Sequence, residues 1–384
     1  MSCKFGKICG GCRFRDLSLI DYQQHKVEQV RNVLQQLCAD NFVFEQPLFM
    51  QDGCRRRASL AFAKHKGKII LGFNVEQSNE IIDIDCCPML TPKINKNLDF
   101  IRAMLGEICN TKIEINHGKK SSKLCNIDHG DIWITEADNG LDVVLEFGID
   151  PNLEIRQTIF EMVANQDDII RISHRKTVNH RPETIMEKIK PYLQIAGREV
   201  YIPAGTFLQP SKAGEQALLG LAIKYLGNIQ GKIADLFCGV GTFSYALVAQ
   251  PDVQVIAIDS SAELLSGFQE SINRQMISNI KIENRNLFKY PLAGKELCGF
   301  NAVVFDPPRA GAKEQVTAIA ALDYNQKPTR IVAISCNPHS FVRDANILIN
   351  GGYRIKSITM VDQFVYSLHS ELVALFEMPE IINK

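Results

Sequence analysis

What this chain lacks narrows it first. No apolar run is long enough to cross a bilayer, and Met1-Ser2-Cys3-Lys4 is not followed by the apolar stretch of a secretory leader. A cytoplasmic address with no membrane partner is therefore expected. Net charge is also missing: 43 Lys and Arg balance 43 Asp and Glu, so bulk charge announces no polyanionic partner. Internal repeats and low-complexity linkers are absent. Cysteine, by contrast, is plentiful. Twelve cysteines in a reducing compartment point to metal ligands, catalytic thiols or buried thiols rather than disulfides. At 384 residues the chain exceeds one ordinary core and implies two or three domains.

Residues 1–14 form a Cys- and Gly-rich knot without periodicity. Asp16 to Leu37 carries Ile20, Val27, Val30, Leu34 and Leu37 at helical spacing and predicts an amphipathic helix. Two β-rich runs between Arg57 and Asn74 flank Lys66-Gly67, a hairpin signal. A second hairpin is expected at Asp138-Asn139-Gly140, where Asn-Gly favours a type I′ turn. Helices are predicted over about 93–106, 152–165 and 211–226. Strand signals then follow at Lys232–Phe237, Val253–Ile258, Ile280–Glu283, Ala302–Phe305, Arg330–Ile334, Arg354–Val361 and Leu372–Phe376. Helices between the early strands argue an α/β domain with a mostly parallel seven-stranded sheet and a final antiparallel pair. The expected division is 1–90, a cysteine-cluster region; 91–195, a central α+β region forming one domain with it; and 196–384, the α/β domain. Basic clusters at Arg55-Arg56-Arg57, Lys64/Lys66/Lys68, Lys119-Lys120/Lys123 and Arg175-Lys176 are candidate phosphate contacts. The arginine triplet ranks first because it enters a strand.

Chemistry-bearing residues gather at strand ends, where α/β enzymes place their sites. Ile233-Ala234-Asp235-Leu236-Phe237 runs into Cys238-Gly239-Val240-Gly241, a turn tight enough to bring backbone close to a ligand. The next strand ends in Asp259, suited to ribose hydroxyls. Ser244 stands where a dinucleotide fingerprint has its third glycine, which favours S-adenosylmethionine over NAD. Asp306-Pro307-Pro308-Arg309 ends another strand, and Cys336 follows Arg330–Ile334. His369-Ser370-Glu371 opens the last one. A thiol, an acid and a carboxylate on neighbouring strand ends suggest covalent catalysis. The competing reading of Cys336 is a buried structural thiol.

These motifs stand in a recognisable order. Phe207-Leu208-Gln209, Asp-Leu-Phe-Cys-Gly, Asp-Pro-Pro-Arg, Ser-Cys-Asn-Pro and the terminal His-x-Glu resemble those of the RNA 5-methyluridine (uracil-C5) methyltransferases, across nearly the whole chain. The resemblance implies a class I, Rossmann-like methyltransferase domain at the C-terminus, preceded by an α+β RNA-binding domain with an N-terminal cysteine cluster. It implies Cys336 as nucleophile toward uracil C6 and Glu371 as general base. Cofactor contacts for S-adenosylmethionine map to Gln209, Phe237, Asp259, Asp306 and Asn286, beside the glycines Gly239 and Gly241. The thiol is expected to be activated by its site, because a free thiol is mostly protonated at neutral pH.

Cys3, Cys9 and Cys12, with the distant Cys86-Cys87-Pro88, supply a four-thiolate set. Iron–sulfur members of the resembled family place the fourth cysteine directly before proline, which implies Cys87 and a 4Fe–4S cluster. Structural zinc is the alternative. Cluster-bearing members mostly resemble 23S rRNA enzymes, and the chain begins at the knot, with no segment for a further β-barrel module. Ribosomal RNA is the expected partner, with tRNA as the alternative and a monomer the expected state. RNA cytosine-C5 methylation competes as a reaction, but it expects a cysteine within the Asp-Pro-Pro-Arg motif.

Overall fold

The computed structural model describes residues 3–6, 8–39, 41–116 and 122–379. The chain divides into two compact units. One comprises Met1–Asp16, Gln51–Leu193 and Ile202–Lys212; the other comprises Leu17–Met50, Gln194–Tyr201 and Ala213–Lys384. The helix Leu19–Leu34 thus groups with the C-terminal unit, whereas a division of the sequence at residue 90 places it with the cysteine-cluster region. The physical reason is its inner face: Val30 and Leu34 belong to the core of the C-terminal unit.

The first unit is built on a seven-stranded sheet. In spatial order its strands are Glu183–Glu187, Ile169–Arg175, Gly140–Glu146, His129–Ala137, Arg57–His65, Lys68–Asn74 and Ile81–Asp83. All neighbours are antiparallel except Ile169–Arg175 and Gly140–Glu146. Those two are joined through the helix Leu153–Ala164, as a parallel crossover requires. The helix Pro92–Asn110 starts on a Thr91 cap with proline in its first turn and buries Ile94, Leu98, Ile101 and Leu105. Leu60, Phe62, Ile132 and Ile134 share that core. The type I′ geometry sits at Lys66-Gly67, where φ is 48° and 79°. It does not sit at the Asn-Gly pair. There Ala137 pairs with Gly140, so the central residues are Asp138 and Asn139, and neither has positive φ.

In the second unit we label the main strands β1 (Gly231–Leu236), β2 (Val253–Asp259), β3 (Ile280–Asn284), β4 (Ala302–Phe305), β5 (Arg330–Ser335), β6 (Arg354–Asp362) and β7 (Glu371–Glu377). Their order is β6-β7-β5-β4-β1-β2-β3, parallel except that β7 runs antiparallel to both its neighbours. Two further strands, Val43–Phe44 and Leu48–Phe49, pair with the outer edge of β6 and make the sheet nine-stranded. Two residues each are too short for periodicity to reveal. β4 is wholly buried and β5 nearly so, which explains their continuous apolar sequences. Among the described residues no helix is long and apolar enough to cross a membrane.

The helix Leu19–Leu34 turns inward most of the face its apolar spacing implies, with Val30 and Leu34 in the core and Val27 and Leu37 packed against it, but Ile20 falls outside that face and Tyr22 and Lys26 take its place. Its buried residues are Tyr22, Lys26, Val30 and Leu34, while Ile20 is 68% exposed.

Candidate functional site

The carboxyl ends of β1, β2, β4 and β5 bring the expected side chains onto one edge of the sheet. Beyond β1, Phe237 takes φ 60°, an uncommon backbone for a bulky residue, and its ring meets Phe288 at 5.4 Å. Gly239 and Gly241 follow at φ 56° and 88°. A Cβ on Gly241 would stand 2.3 Å from the Phe268 ring, so only glycine fits. A Cβ on Gly239 would meet nothing within 4 Å, so that side of the turn is open to a ligand. Asp259 fixes the turn: one carboxylate oxygen accepts from the Gly239 N–H at 3.0 Å, the other from the Ser261 N–H at 2.8 Å. This backbone-lined cradle with an acid at the next strand end fits the nucleoside part of S-adenosylmethionine.

Asn286 follows β3, and its carboxamide oxygen is occupied by the N–H groups of Phe288 and Lys289. Asp306 follows β4, with its N–H donating to Leu236 O at 3.3 Å. Gln209 belongs to the first unit.

Cys336 directly follows β5, ahead of the helix Pro338–Asn350, which Asn337 caps. Ser335 pairs with Leu372, so Glu371 stands at the adjoining end of β7. Both side chains are perturbed. Burial, then the Glu371 and Asp306 charges, push the Cys336 thiol up to about 12. Burial and Asp306 raise the Glu371 carboxyl to about 8, opposed by a hydrogen bond from Gln363 Nε2 to Glu371 Oε1 at 3.0 Å. Two acids raise this thiol and Arg309 acts in the opposite direction, so the protein's own groups push it up on balance. A positive charge brought by a ligand would offset both acids.

Two contacts tie the motif ends together. Asn337 Nδ2 donates to Arg309 O at 3.1 Å, and the Arg309 guanidinium lies 3.3 Å from His369 Nδ1. Sequence reasoning named Asp-Pro-Pro-Arg for its acid and missed this use of Arg309. It also missed Gln363, for which the sequence carries no signal beyond its place eight residues before Glu371.

Two of the three arginines in the triplet have partners other than phosphate. Arg56 is buried, with Nε on Gln209 O at 2.9 Å; Arg57 donates to Leu208 O at 2.9 Å and stacks on the Phe207 ring at 4.3 Å. Burial, then Arg56, lowers the Arg57 guanidinium to about 10. These two arginines hold the backbone of Phe207-Leu208-Gln209. Arg175 and Lys176 are likewise paired, with Glu146 and Asp150. Lys66 and Lys68 are exposed, while Lys64 binds Cys109 O and Asn110 Oδ1. Lys119 and Lys120 lie outside the described residues, and so does the side chain of Lys123.

At the N-terminus, Cys12 is buried and its thiol is pushed up to about 11, chiefly by burial. Arg55 lowers it, while Cys87 and Cys9 raise it, so these three thiols lie within electrostatic reach of one another. Asn95 pins the Cys87 backbone through both its N–H and its carbonyl. Among the described residues, no three His, Cys, Asp or Glu side chains are grouped as a metal site. The thiols are near one another without standing at ligand geometry.

Relatives of known name match along nearly the full length. An uncharacterized RNA methyltransferase of Brucella melitensis is 36% identical over 97% of this chain and 83% of its own. The 23S rRNA (uracil(1939)-C(5))-methyltransferase RlmD of Aliivibrio salmonicida is 26% identical over 98% of this chain and 81% of its own. Among solved structures, the Pyrococcus abyssi tRNA (uracil-54, C5)-methyltransferase in complex with S-adenosyl-L-homocysteine superposes with a TM-score of 0.71 at 22% identity. That match covers 98% of this chain and 86% of the other, and it shows the fold. The family model described as tRNA (Uracil-5-)-methyltransferase matches residues 21–378, and with the strand order and strand-end residues above it establishes that this chain belongs to that family of S-adenosylmethionine-dependent RNA methyltransferases.

Proposed function

We propose that this chain methylates C5 of a specific uridine in RNA, through a covalent bond from Cys336 Sγ to C6 of the base. The observation that carries this reading is the placement of Cys336 and Glu371 on adjoining ends of β5 and β7, with Asp306 close enough to perturb both. Uracil C5 is too weak a nucleophile to take a methyl group unaided. Addition of the thiolate to C6 places the electron pair on C5 as an enolate, which makes it nucleophilic. Once C5 carries methyl and hydrogen together, the Glu371 carboxylate removes the proton. The released pair re-forms the C5–C6 double bond and expels the thiolate.

S-adenosylmethionine, when bound, supplies an electrophilic methyl group and a sulfonium charge. Phe237, Gly239, Gly241, Asp259, Asn286 and Asp306 are the residues proposed to hold it, together with Gln209 as the resemblance assigns it. Reaching C6 requires an unstacked base, so the target is a loop nucleotide or is flipped out. We take ribosomal RNA as the substrate, supported by the full-length likeness to RlmD. A cytosine reading finds no cysteine within Asp306-Pro307-Pro308-Arg309.

Cys3, Cys9, Cys12 and Cys87 are proposed to take up a 4Fe–4S cluster. The support is chemical: four thiols, with Cys9 and Cys87 both close enough to raise Cys12. No step of the methylation is assigned to it. Anaerobic purification with iron, sulfide and zinc analysis tests this, and stoichiometric zinc without sulfide would replace the cluster with a structural ion.

The reaction is tested by incubating the protein and labelled S-adenosylmethionine with 5-fluorouridine-substituted rRNA or tRNA. A denaturation-resistant protein–RNA complex that vanishes in Cys336→Ala is expected. Methylation of RNA at uridine C5 by Cys336→Ala at the wild-type rate would overturn the covalent route. Efficient labelling of tRNA alone would move the substrate.

A further inference from the structure

Eight residues separate Asp362, the acid that ends β6, from Glu371, the acid that opens β7, and this connection, rather than either strand, delivers Glu371. From Gln363 to Ser370 it contains turns and bends but neither helix nor strand, and Tyr366 within it takes φ 60°. Its internal ties include the Ser367 N–H and hydroxyl on Phe364 O, the His369 N–H on Ser367 Oγ at 3.2 Å, and the Phe364–His369 ring contact. A second element secures it.

That element is the helix Leu19–Leu34. Lys26 is 0% exposed, and its ammonium faces Ser367 O at 2.9 Å, His369 O, and Asp362 Oδ1 at 3.2 Å. The two carbonyls accept hydrogen bonds from the ammonium, and the Asp362 carboxylate completes the site as an ion pair. Asp362, the last residue of β6 and equally buried, also accepts from the Tyr22 hydroxyl. The Tyr22 oxygen in turn accepts from the Tyr366 N–H at 2.8 Å. The cluster therefore grips the connection at Asp362, Tyr366, Ser367 and His369, ending two residues before Glu371.

A buried ion pair is a poor source of stability compared with apolar residues of the same volume. A methionine at position 26 would continue the apolar face of the helix without desolvating any charge. What the ammonium adds is direction: it fixes two carbonyls and a carboxylate at one point. We propose that Lys26 is a positioning residue for Glu371, acting with Asp362 and Tyr22 to hold the connection so that the carboxylate meets the proton on C5. The inference rests on the role of Glu371 given above. It assigns Lys26 to proton removal and not to thiol addition or cofactor binding.

The stages separate experimentally. With 5-fluorouridine RNA no C5 proton is available, so the adduct forms without a base. With uridine RNA, an enzyme lacking a placed base stalls with C6 bonded to Cys336 and C5 carrying both hydrogen and methyl. The Lys26→Met/Asp362→Asn double variant removes the ion pair without leaving an orphan charge. We expect cofactor affinity and the 5-fluorouridine adduct rate to stay within about twofold, while turnover on uridine RNA falls roughly 100-fold, the effect of about 1 Å of misplacement. A gel-stable adduct carrying labelled methyl should accumulate on uridine RNA. Tyr22→Phe, which removes one hydroxyl from the same cluster, should show a smaller accumulation in the same direction and serves if the double variant does not fold. Turnover unchanged, or adduct formation and turnover lost in parallel, would overturn the positioning role. Failure of the wild-type protein to form the 5-fluorouridine adduct would instead remove the underlying reaction.

Discussion

Gln363 donates through Nε2 to Glu371 Oε1 at 3.0 Å, and among the described residues no donor reaches Glu371 Oε2. One oxygen of the proposed base is anchored and the other is left for chemistry. The hydrogen bond favours the ionised carboxylate, whereas burial and Asp306 favour the protonated one and carry it to about 8. Gln363→Leu removes the favourable contribution, so a larger share of the enzyme holds Glu371 protonated at any pH below that point. A hydrogen bond to a charged group is worth about 1.5–3 kcal/mol. The acid limb of the kcat–pH profile should therefore move alkaline by about one to two pH units. A profile that stays in place, or moves to lower pH, would show that this contact does not tune the base.

The Cys336 thiol, pushed up to about 12, should be a sluggish nucleophile in the free protein despite its partial exposure. Alkylation by iodoacetamide at pH 8, followed residue by residue by mass spectrometry, should be slower at Cys336 than at the exposed Cys38 and Cys86. Glu371 is the second cause of the shift after burial. Glu371→Gln should therefore raise the Cys336 rate roughly three- to tenfold while leaving Cys38 unchanged. A slower or equal rate at Cys336 in that variant would remove the carboxylate as a cause.

Asp235 illustrates the same physics turned toward stability. It is buried in β1, accepts from the Ser244 hydroxyl at 2.5 Å, and its Oδ1 has no hydrogen-bond partner among the described residues. Burial above all raises its carboxyl from 3.8 to about 7. The folded state therefore holds a proton that the unfolded chain has released, and stability from this group is complete below about pH 4 and lost as pH rises through 7. The slope is ~1.4 kcal/mol per pH unit between those limits. Asp235→Asn, which keeps the shape and the acceptor toward Ser244, should flatten that part of the profile and melt higher than the wild type at pH 8. Denaturant midpoints at pH 5 and pH 8 decide it: equal pH dependence in both proteins would contradict the assignment.

The parts of this molecule that were legible in the sequence are those fixed by local composition. β4 and β5 read as strands because burial on both faces forces near-continuous apolar runs. The strand-end side chains named from sequence stand together because parallel strands present their carboxyl ends together, so that Asp259, Asp306 and Cys336 share an edge by topology. What stayed hidden depends on partners far along the chain. Lys26 is a charged residue on the buried face of its helix, and its acceptors lie more than 330 residues away. Gln363 reaches Glu371 only because β6 and β7 pair in one register, Val361 against Glu371. A cluster of three arginines looks the same in sequence whether it awaits a phosphate or already holds a loop.

That last ambiguity is open to a direct measurement. Arg56 and Arg57 are committed to the carbonyls of Gln209 and Leu208, so they are not free to displace counterions from an RNA backbone. Each lysine or arginine that does neutralise a phosphate contributes roughly 0.7–0.9 to the slope of log Kd against log salt concentration. Arg56→Met and Arg57→Met should therefore leave that slope unchanged. They should instead lower the melting temperature, because each strands a carbonyl at a cost of about 1–3 kcal/mol when the group is buried. Exposed Lys66 and Lys68 provide the contrast, since alanine at those positions leaves melting unaltered whatever it does to RNA affinity. A slope that drops by nearly one for either arginine variant would return the triplet to the RNA interface.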